Sequence, residues 1–285
     1  MQSIANRVYI EDSFPGVTLG AISTPRGLIQ IDAPPSPDDS RTWRASLMNV
    51  GAGSDRLLVN LDSHPDRTLG ARSMDCTVIA HEKTAHVFRN RPTTFKAQGD
   101  ETGASWESIP GLGSVRWAPP EISFTQDMVL YWSENPIHLM HRPGPAAGAI
   151  WVVLPADRIV FVGDLVLKSQ PPFLSNANLP QWIDSLKVLM GPDFKSYTIV
   201  SGRGGVVTAA IIKTQLETVK HLHDRLEKMA ARNAAPEATE RLVDNLLGGY
   251  KVPAARQKHF AQRLRYGLHQ YYVRHYHPTN GSDDE

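Results

Sequence analysis

Four polar side chains that could do chemistry follow the apolar run Leu57–Val59 within a few residues: Asp62, His64, Asp66 and Arg67. An apolar run that ends in acids and a histidine is typical of a strand that delivers side chains to the edge of a pocket. In α/β proteins, ligand sites form at the ends of strands. We therefore expect a ligand site here, although the acids could instead cap the next turn and the histidine could be a structural hydrogen-bonding group.

Two further predicted strands end in charged residues among glycines. Asp164 follows Gly163 at the end of the apolar run at 159–162, and Arg203 lies in the turn 201–205, which contains three glycines. A glycine-rich turn beside an arginine could cradle an anion through its backbone N–H groups. Asp164 could equally cap a helix.

The hydrophobic pattern predicts the elements that must position these residues. Strands are predicted at 7–10, 17–23, 28–31, 57–60, 77–80, 128–132, 136–140, 149–154, 159–162 and 197–200. Helices are predicted from Asp38 or Ser40 to 48, at 82–88, from a cap at Asn178 to 190, and at 208–231 and 253–276. The irregular stretch at 89–120 is predicted to be a lid, a surface insertion or a partner contact.

Composition limits the class of protein. The chain has 285 residues, of which 41% are hydrophobic and 21% charged, and its formal net charge is +1. This balance predicts a substantial core and gives no field that would attract nucleic acid or a membrane surface. The N-terminus lacks the pattern of a secretory signal, no apolar run is long enough to span a bilayer, and Cys76 is the single cysteine. We therefore expect a soluble, cytoplasmic globular protein.

Five motifs together resemble the metallo-β-lactamase fold over about residues 7–230. The frame H-x-H-x-D-H is similar to Asp62–Arg67, and the turn Phe-x-Gly-Asp is intact at Phe161–Asp164. The other three are the Ile-Asp hairpin end at 27–33, the Gly-His-Thr-Pro-Gly turn at 144–148 and the Gly-His-Gly turn at 202–204. The resemblance implies the α/β (α+β) class and a four-layer αββα sandwich at residues 1–235. Residues 236–285 would be a C-terminal helical extension packed on it.

In that family, the motif residues hold two zinc or iron ions that activate a water for attack on an ester, amide or thioester. The corresponding positions here are Asp62, His64 and Pro145 for one ion, and Asp66, Arg67, Asp164 and Arg203 for the other. Proline cannot bind a metal, and a guanidinium stays protonated and has no lone pair to give. The resemblance therefore implies that the dinuclear site is largely lost.

Two functions remain open. In the first, the protein is an atypical or non-catalytic member without a cofactor, in which Arg67 and Arg203 replace the metal or bind an anion. In the second, Asp66 and Asp164 are catalytic in an active hydrolase of an ester, thioester or amide. That enzyme would hold one zinc, iron or manganese ion on Asp62, His64, Asp66 and Asp164.

Two partners are expected. A pocket that contains Arg67 and Arg203 would prefer a small anionic molecule. The predicted C-terminal helix carries apolar residues with helical spacing, which would pack on the body or on a second copy in a homodimer; they are Phe260, Leu264, Leu268 and Tyr271.

Overall fold

The computed structural model describes residues 1–50, 53–96 and 102–277 and contains two sheets. They are formed by the ten predicted strands and by three short strands that were not predicted, at 2–5, 122–124 and 206–207. The first sheet has its strands in chain order: β1 (Gln2–Ala5), β2 (Val8–Glu11), β3 (Leu19–Thr24), β4 (Gly27–Ile31), β5 (Asp55–Val59), β6 (Thr77–His81) and β7 (Ile122–Phe124). Strands β1 to β4 pair antiparallel, and β4 to β7 pair parallel. The carboxyl ends of β4 and β5 therefore lie at the same edge of this sheet.

The second sheet is built from the second half of the chain. Its strands are β8 (Asp127–Leu130), β9 (Ile137–His141), β10 (Ile150–Leu154), β11 (Ile159–Phe161), β12 (Thr198–Val200) and β13 (Val206–Val207), in the spatial order β13-β12-β11-β10-β9-β8. All neighbours pair antiparallel except β11 and β12, which run parallel. This parallel pair gives the second sheet an edge with two carboxyl ends, as β4 and β5 do in the first.

Helices cover the outer faces of both sheets. They are α1 (Pro37–Ser46), α2 (Pro65–Thr68), α3 (Glu82–Asn90), α4 (Leu179–Leu189), α5 (Ala209–Ala230), α6 (Val243–Gly248) and α7 (Gln257–Tyr276). The side chain of Asn178 caps α4 by accepting a hydrogen bond from the N–H of Gln181, as predicted. The cap of α1 is Ser36 rather than Asp38 or Ser40, because its hydroxyl accepts from the N–H of Asp39.

Successive side chains of a strand point to opposite faces of its sheet, so they pack alternately between the two sheets and against the outer helices. In β10, Ile150, Val152 and Leu154 face the first sheet, whereas Trp151 and Val153 pack under the C-terminal helices. All five side chains are buried, so β10 reads as a continuous apolar run. Helix α1 packs on the other face of the first sheet through Trp43. The layers are helix, sheet, sheet and helix, which is the predicted sandwich.

The C-terminal segment belongs to the same core as α4 and α5. The predicted apolar face of α7 is buried against these helices through Phe260, Leu264, Leu268 and Tyr271. This face is therefore buried within the chain, and the proposed homodimer would need another surface.

The division of the chain into units 1–235 and 236–285 remains a proposal. Within the described residues, no helix is both long and apolar enough to cross a membrane.

Candidate functional site

The carboxyl ends of four strands, two from each sheet, lie close together. Asp32 follows β4, the turn with Asp62 to Arg67 follows β5, Asp164 follows β11, and Arg203 follows β12. β4 and β5 pair parallel in the first sheet, and β11 and β12 pair parallel in the second, so the carboxyl ends of each pair share an edge. The architecture thus joins charged side chains from distant parts of the chain.

Close backbone contacts fix the two turns of the second sheet. The N–H of Gly202 donates to the carbonyl of Gly163 at 2.7 Å, and a Cβ on Gly202 would lie only 2.7 Å from the carbonyl carbon of Gly163. Gly163 has a φ of +58°, a conformation that favours glycine. These two glycines hold the residues that follow them, Asp164 and Arg203, beside each other.

The turn after β5 is held by its own side chains. Asp62 accepts a hydrogen bond from the N–H of His64 at 2.8 Å, and Nδ1 of His64 accepts from the N–H of Asp66 at 3.2 Å. His64 is therefore the N-cap of α2. Because Nδ1 is an acceptor, the neutral ring carries its proton on Nε2.

Arg67 is fully buried and touches three carboxylates. Its Nη1 donates to Asp32 at 2.7 Å, its Nη2 donates to Asp164, and its Nε lies 3.0 Å from Asp62. Nε is close enough for an ion pair, although its N–H is not aligned for a hydrogen bond. Arg67 thus ties the end of β4 to the end of β11.

Arg203 is the second buried cation, and it contacts the remaining acid. Its Nε donates to both oxygens of Asp164 at 3.0 and 3.2 Å, and its Nη1 donates to Asp66 at 2.5 Å. Its Nη2 donates to Asp164 at 3.0 Å and to Nδ1 of His64 at 3.1 Å. We call Asp32, Asp62, Asp66, Arg67, Asp164 and Arg203 the ion-pair cluster.

The pKa shifts in the ion-pair cluster follow from burial and from the two guanidinium groups. Burial alone would raise the pKa of Asp164 and of Asp66, but the charge of Arg203 outweighs it and holds both pKa values below the ordinary range. Burial raises the pKa of Asp62, and it raises that of Asp32 to about 7 despite Arg67. Four carboxylates face two guanidiniums, and the raised pKa values of Asp32 and Asp62 favour proton uptake, which moves the cluster toward neutrality.

These residues do not fit the metal centre that the motif positions imply. Asp164 already accepts from both guanidiniums, while Asp66 and His64 both accept from Arg203. Across residues 1–50, 53–96 and 102–277, no group of three or more His, Cys, Asp or Glu side chains has the geometry to hold a metal ion. Pro145 lines a small cavity beside Asp62, where the family would have a histidine.

A cavity of about 160 Å³ adjoins the ion-pair cluster. We call it the arginine cavity because Arg91 and Arg263 line it, together with His64 and Phe173. A larger cavity of about 530 Å³ lies between α5 and the segment 245–251. None of the residues that the sequence predicted for the site lines it, whereas His64 lines the arginine cavity. The cavity beside Asp62 has a volume of only about 50 Å³, so the arginine cavity is the candidate ligand site.

The structure adds residues that the sequence analysis missed. Asp32 was predicted only as the end of a strand, and Arg91, Phe173 and Arg263 were given no role. Arg263 lies on α7 at a position that faces the core, three residues after Phe260. Its position on the apolar face of a predicted helix, where a charged residue is unusual, could have identified Arg263 as a candidate.

The predicted anion cradle at 202–205 uses its donors internally. The N–H groups of Gly204 and Gly205 both donate to the hydroxyl of Thr18 at 3.0 Å, and the N–H of Arg203 donates to that of Ser201. The N–H of Gly202 is taken by Gly163. An anion held by this segment would therefore have to displace contacts within the protein.

Comparisons with known proteins agree with this architecture. Residues 63–200 match the family model of the metallo-beta-lactamase superfamily. A metallo-beta-lactamase from Pontibacter korlensis is 18% identical, the match covers 77% of this chain and 97% of that one, and the TM-score is 0.59. The chain thus has the metallo-β-lactamase fold and contains a domain of that superfamily.

A second structural neighbour extends the likeness to the C-terminal helices. The stereoselective inverting sec-alkylsulfatase Pisa1 from Pseudomonas sp. is 12% identical, with a TM-score of 0.70. The match covers 98% of this chain and 50% of that one. At this identity the likeness concerns the fold alone. A search of curated proteins found no similar sequence.

Proposed function

We propose that this protein is a non-catalytic member of the superfamily, in which two guanidinium groups replace the metal ions and the neighbouring pocket binds a small anionic molecule. The observation that supports this proposal is that the guanidinium groups of Arg67 and Arg203 occupy the acceptors of the motif residues by hydrogen bonding. Each guanidinium donates to Asp164, and Arg203 also donates to Asp66 and to His64. The lone pairs that a metal ion would need are already hydrogen bonded.

The two motif acids Asp66 and Asp164 are poor general bases. A general base works best when its pKa lies near the working pH, and the pKa values of Asp66 and Asp164 lie below the ordinary carboxyl range. Both are buried, and Asp66 also accepts from the N–H of Trp106 at 2.7 Å. We therefore propose that Asp66 and Asp164 hold the two arginines in place.

A guanidinium in place of a divalent metal ion supplies a positive charge, although a smaller one, and lacks the chemistry of the metal. Two carboxylates that are brought together without a cation repel each other, and one takes up a proton. Arg67 and Arg203 relieve that repulsion. A guanidinium is not a Lewis acid, so it does not lower the pKa of a water molecule as a metal ion does and supplies no activated nucleophile for hydrolysis.

The test is the metal content of protein purified without a histidine tag, measured by mass spectrometry. We expect no stoichiometric zinc, iron or manganese. One or two equivalents of metal, lost on chelation together with hydrolase activity, would overturn the proposal. That result would favour the alternative of a mononuclear hydrolase that uses Asp62, His64, Asp66 and Asp164.

A reversal variant provides the matched control for metal analysis. The combined changes Asp62→His, Arg67→His, Pro145→His and Arg203→His place imidazoles at four motif positions. Imidazole nitrogen is a ligand that zinc prefers. We expect this variant to bind zinc under conditions in which the unchanged protein does not. If neither protein binds zinc, the assignment of these positions to the family frame is wrong.

A further inference from the structure

Arg263 is a buried cation without an anionic partner among the described residues. It is 1% exposed, its Nε donates to the carbonyl of Gly103 at 2.9 Å, and its Nη1 donates to Gln170 at 2.8 Å and to the carbonyl of Pro171 at 3.1 Å. In the part of the chain that the structure describes, Nη2 has no hydrogen-bond partner. All the groups that it contacts by hydrogen bonds are neutral.

An unpaired charge inside a protein is costly, because desolvation is not repaid by a counter-ion. Burial, and then the like charge of Arg203, lowers the pKa of Arg263 to about 9, and the more distant charges of Asp66 and Asp164 oppose this shift only in part. The side chain therefore stays protonated at neutral pH. The ring of Phe173 lies 3.8 Å from the guanidinium carbon and compensates part of this cost. A negative charge would compensate far more.

Arg91 lies on the wall of the same cavity and is in a similar position. Its Nη1 donates to the carbonyl of Ser63 at 3.1 Å, and its guanidinium packs over the ring of Trp117 at 4.8 Å. Within residues 1–50, 53–96 and 102–277, it forms no ion pair with a carboxylate. Burial lowers its pKa only to about 10, so it also remains charged.

His64 adds a neutral donor. Its Nδ1 accepts from the N–H of Asp66 and from Arg203, so its proton is on Nε2, and the residue lines the cavity. The cavity thus combines two cations and one N–H donor. A volume of about 160 Å³ is that of about five water molecules at about 30 Å³ each.

We propose that the arginine cavity binds a small oxyanion, a carboxylate, sulfate or phosphate group, through Arg263 and Arg91. This inference rests on the proposed anion binding and assigns it to residues other than Arg67 and Arg203. The latter two already donate to carboxylates, whereas the acceptors of Arg263 and Arg91 among the described residues are all neutral. Guanidinium groups form strong charge-assisted hydrogen bonds with such oxyanions.

The experiment is calorimetric titration of the full chain with inorganic phosphate, sulfate and acetate, at an ionic strength held constant with chloride. The variants are Arg263→Gln and Arg91→Gln. Arg265→Gln is the matched control, because Arg265 lies on the same helix, is exposed and pairs with Glu240. We expect at least one oxyanion to bind the unchanged protein and the control equally. Either cavity variant should weaken this binding by about ten- to a hundredfold, the loss of one charge-assisted contact.

The outcomes separate this inference from the function on which it rests. If none of the three anions binds the unchanged protein at millimolar concentration, both the anion-binding function and its assignment fail. If an anion binds and both cavity variants bind it as tightly as the control, only the assignment to Arg263 and Arg91 fails. Should Arg263→Gln not fold, Arg91→Gln decides the question alone. Preference for sulfate and phosphate over acetate would identify a tetrahedral group, and the reverse a carboxylate.

Discussion

The ion-pair cluster and the arginine cavity use the same kind of residue in opposite ways. In the cluster, Arg67 and Arg203 are surrounded by four carboxylates from three strand ends. In the cavity, Arg91 and Arg263 donate to neutral groups and pack on aromatic rings. A cation that is paired with carboxylates stabilises the fold, whereas a cation that forms no ion pair with the described residues can pair with a ligand. Under the proposed function, the first pair of arginines is therefore structural and the second pair binds the anion.

The largest expected effect is that of Asp164→Ala, which would break the cluster. Asp164 accepts hydrogen bonds from both buried arginines, so its loss leaves two cations short of a partner. Breaking a buried ion pair by removing one partner costs about 3 to 5 kcal/mol. Urea unfolding followed by circular dichroism measures the change in the free energy of unfolding.

Asp184→Ala is the control for that measurement. Asp184 forms an exposed ion pair with Lys187, three residues along α4. An exposed pair contributes about 1 kcal/mol or less. Equal losses in the two variants would show that the cluster stabilises the fold no more than a surface pair does.

A smaller effect is expected from Arg263→Gln in the absence of any anion. This change removes hydrogen bonds to the carbonyls of Gly103 and Pro171, but it leaves no carboxylate of the described residues unpaired. We expect a loss of about 1 to 2 kcal/mol in the free energy of unfolding. The same urea titration measures it. A loss as large as that of Asp164→Ala would place Arg263 in a closed ion-pair network and remove the contrast between the two regions.

The sequence predicted the ion-pair cluster better than the cavity, for a physical reason. Asp62, His64, Asp66, Asp164 and Arg203 follow apolar runs, and parallel pairing brings such strand ends together. A local pattern is enough to find them. It also predicted the two-sheet core, because alternation of apolar residues reports on both faces of a strand.

The cavity depends on contacts that no local pattern encodes. Arg263 reaches Gly103 and Gln170, which lie 160 and 93 residues away in the chain. Its helix packs closely at Gly267, where a Cβ would lie 3.1 Å from Leu174. The sequence likewise identified Asp32 only as the end of a strand, because its partner Arg67 follows the neighbouring strand β5. Tertiary packing, rather than spacing, makes these residues part of the site.

The pH dependence of stability, with a slope of at most about 1.4 kcal/mol per pH unit for one proton, tests how the cluster balances its charge. In the unchanged protein the net effect is expected to be small, because two terms oppose each other. Burial and Arg203 lower the pKa of His64 from 6.5 to about 3. Between those values the unfolded chain binds a proton that the folded chain does not, so this term makes stability increase with pH. Burial raises the pKa of Asp32 from 3.8 to about 7, and here the folded chain keeps the extra proton. This second term makes stability decrease as pH rises, and the two oppose each other from about pH 4 to 6.5.

Two variants should separate these opposing terms. His64→Asn keeps a side-chain acceptor at the cap of α2 and removes the imidazole, so the free energy of unfolding should decrease from about pH 4 to 6.5 through Asp32. Asp32→Asn removes the other term, so the free energy of unfolding should increase over the same range through His64. Urea titrations at half-unit steps of pH measure both slopes relative to the unchanged protein. The two variants could instead change the slope of the free energy of unfolding against pH in the same direction. The proton that the folded cluster takes up would then not be on Asp32, and the cluster would have to be neutralised by protonation of Asp62.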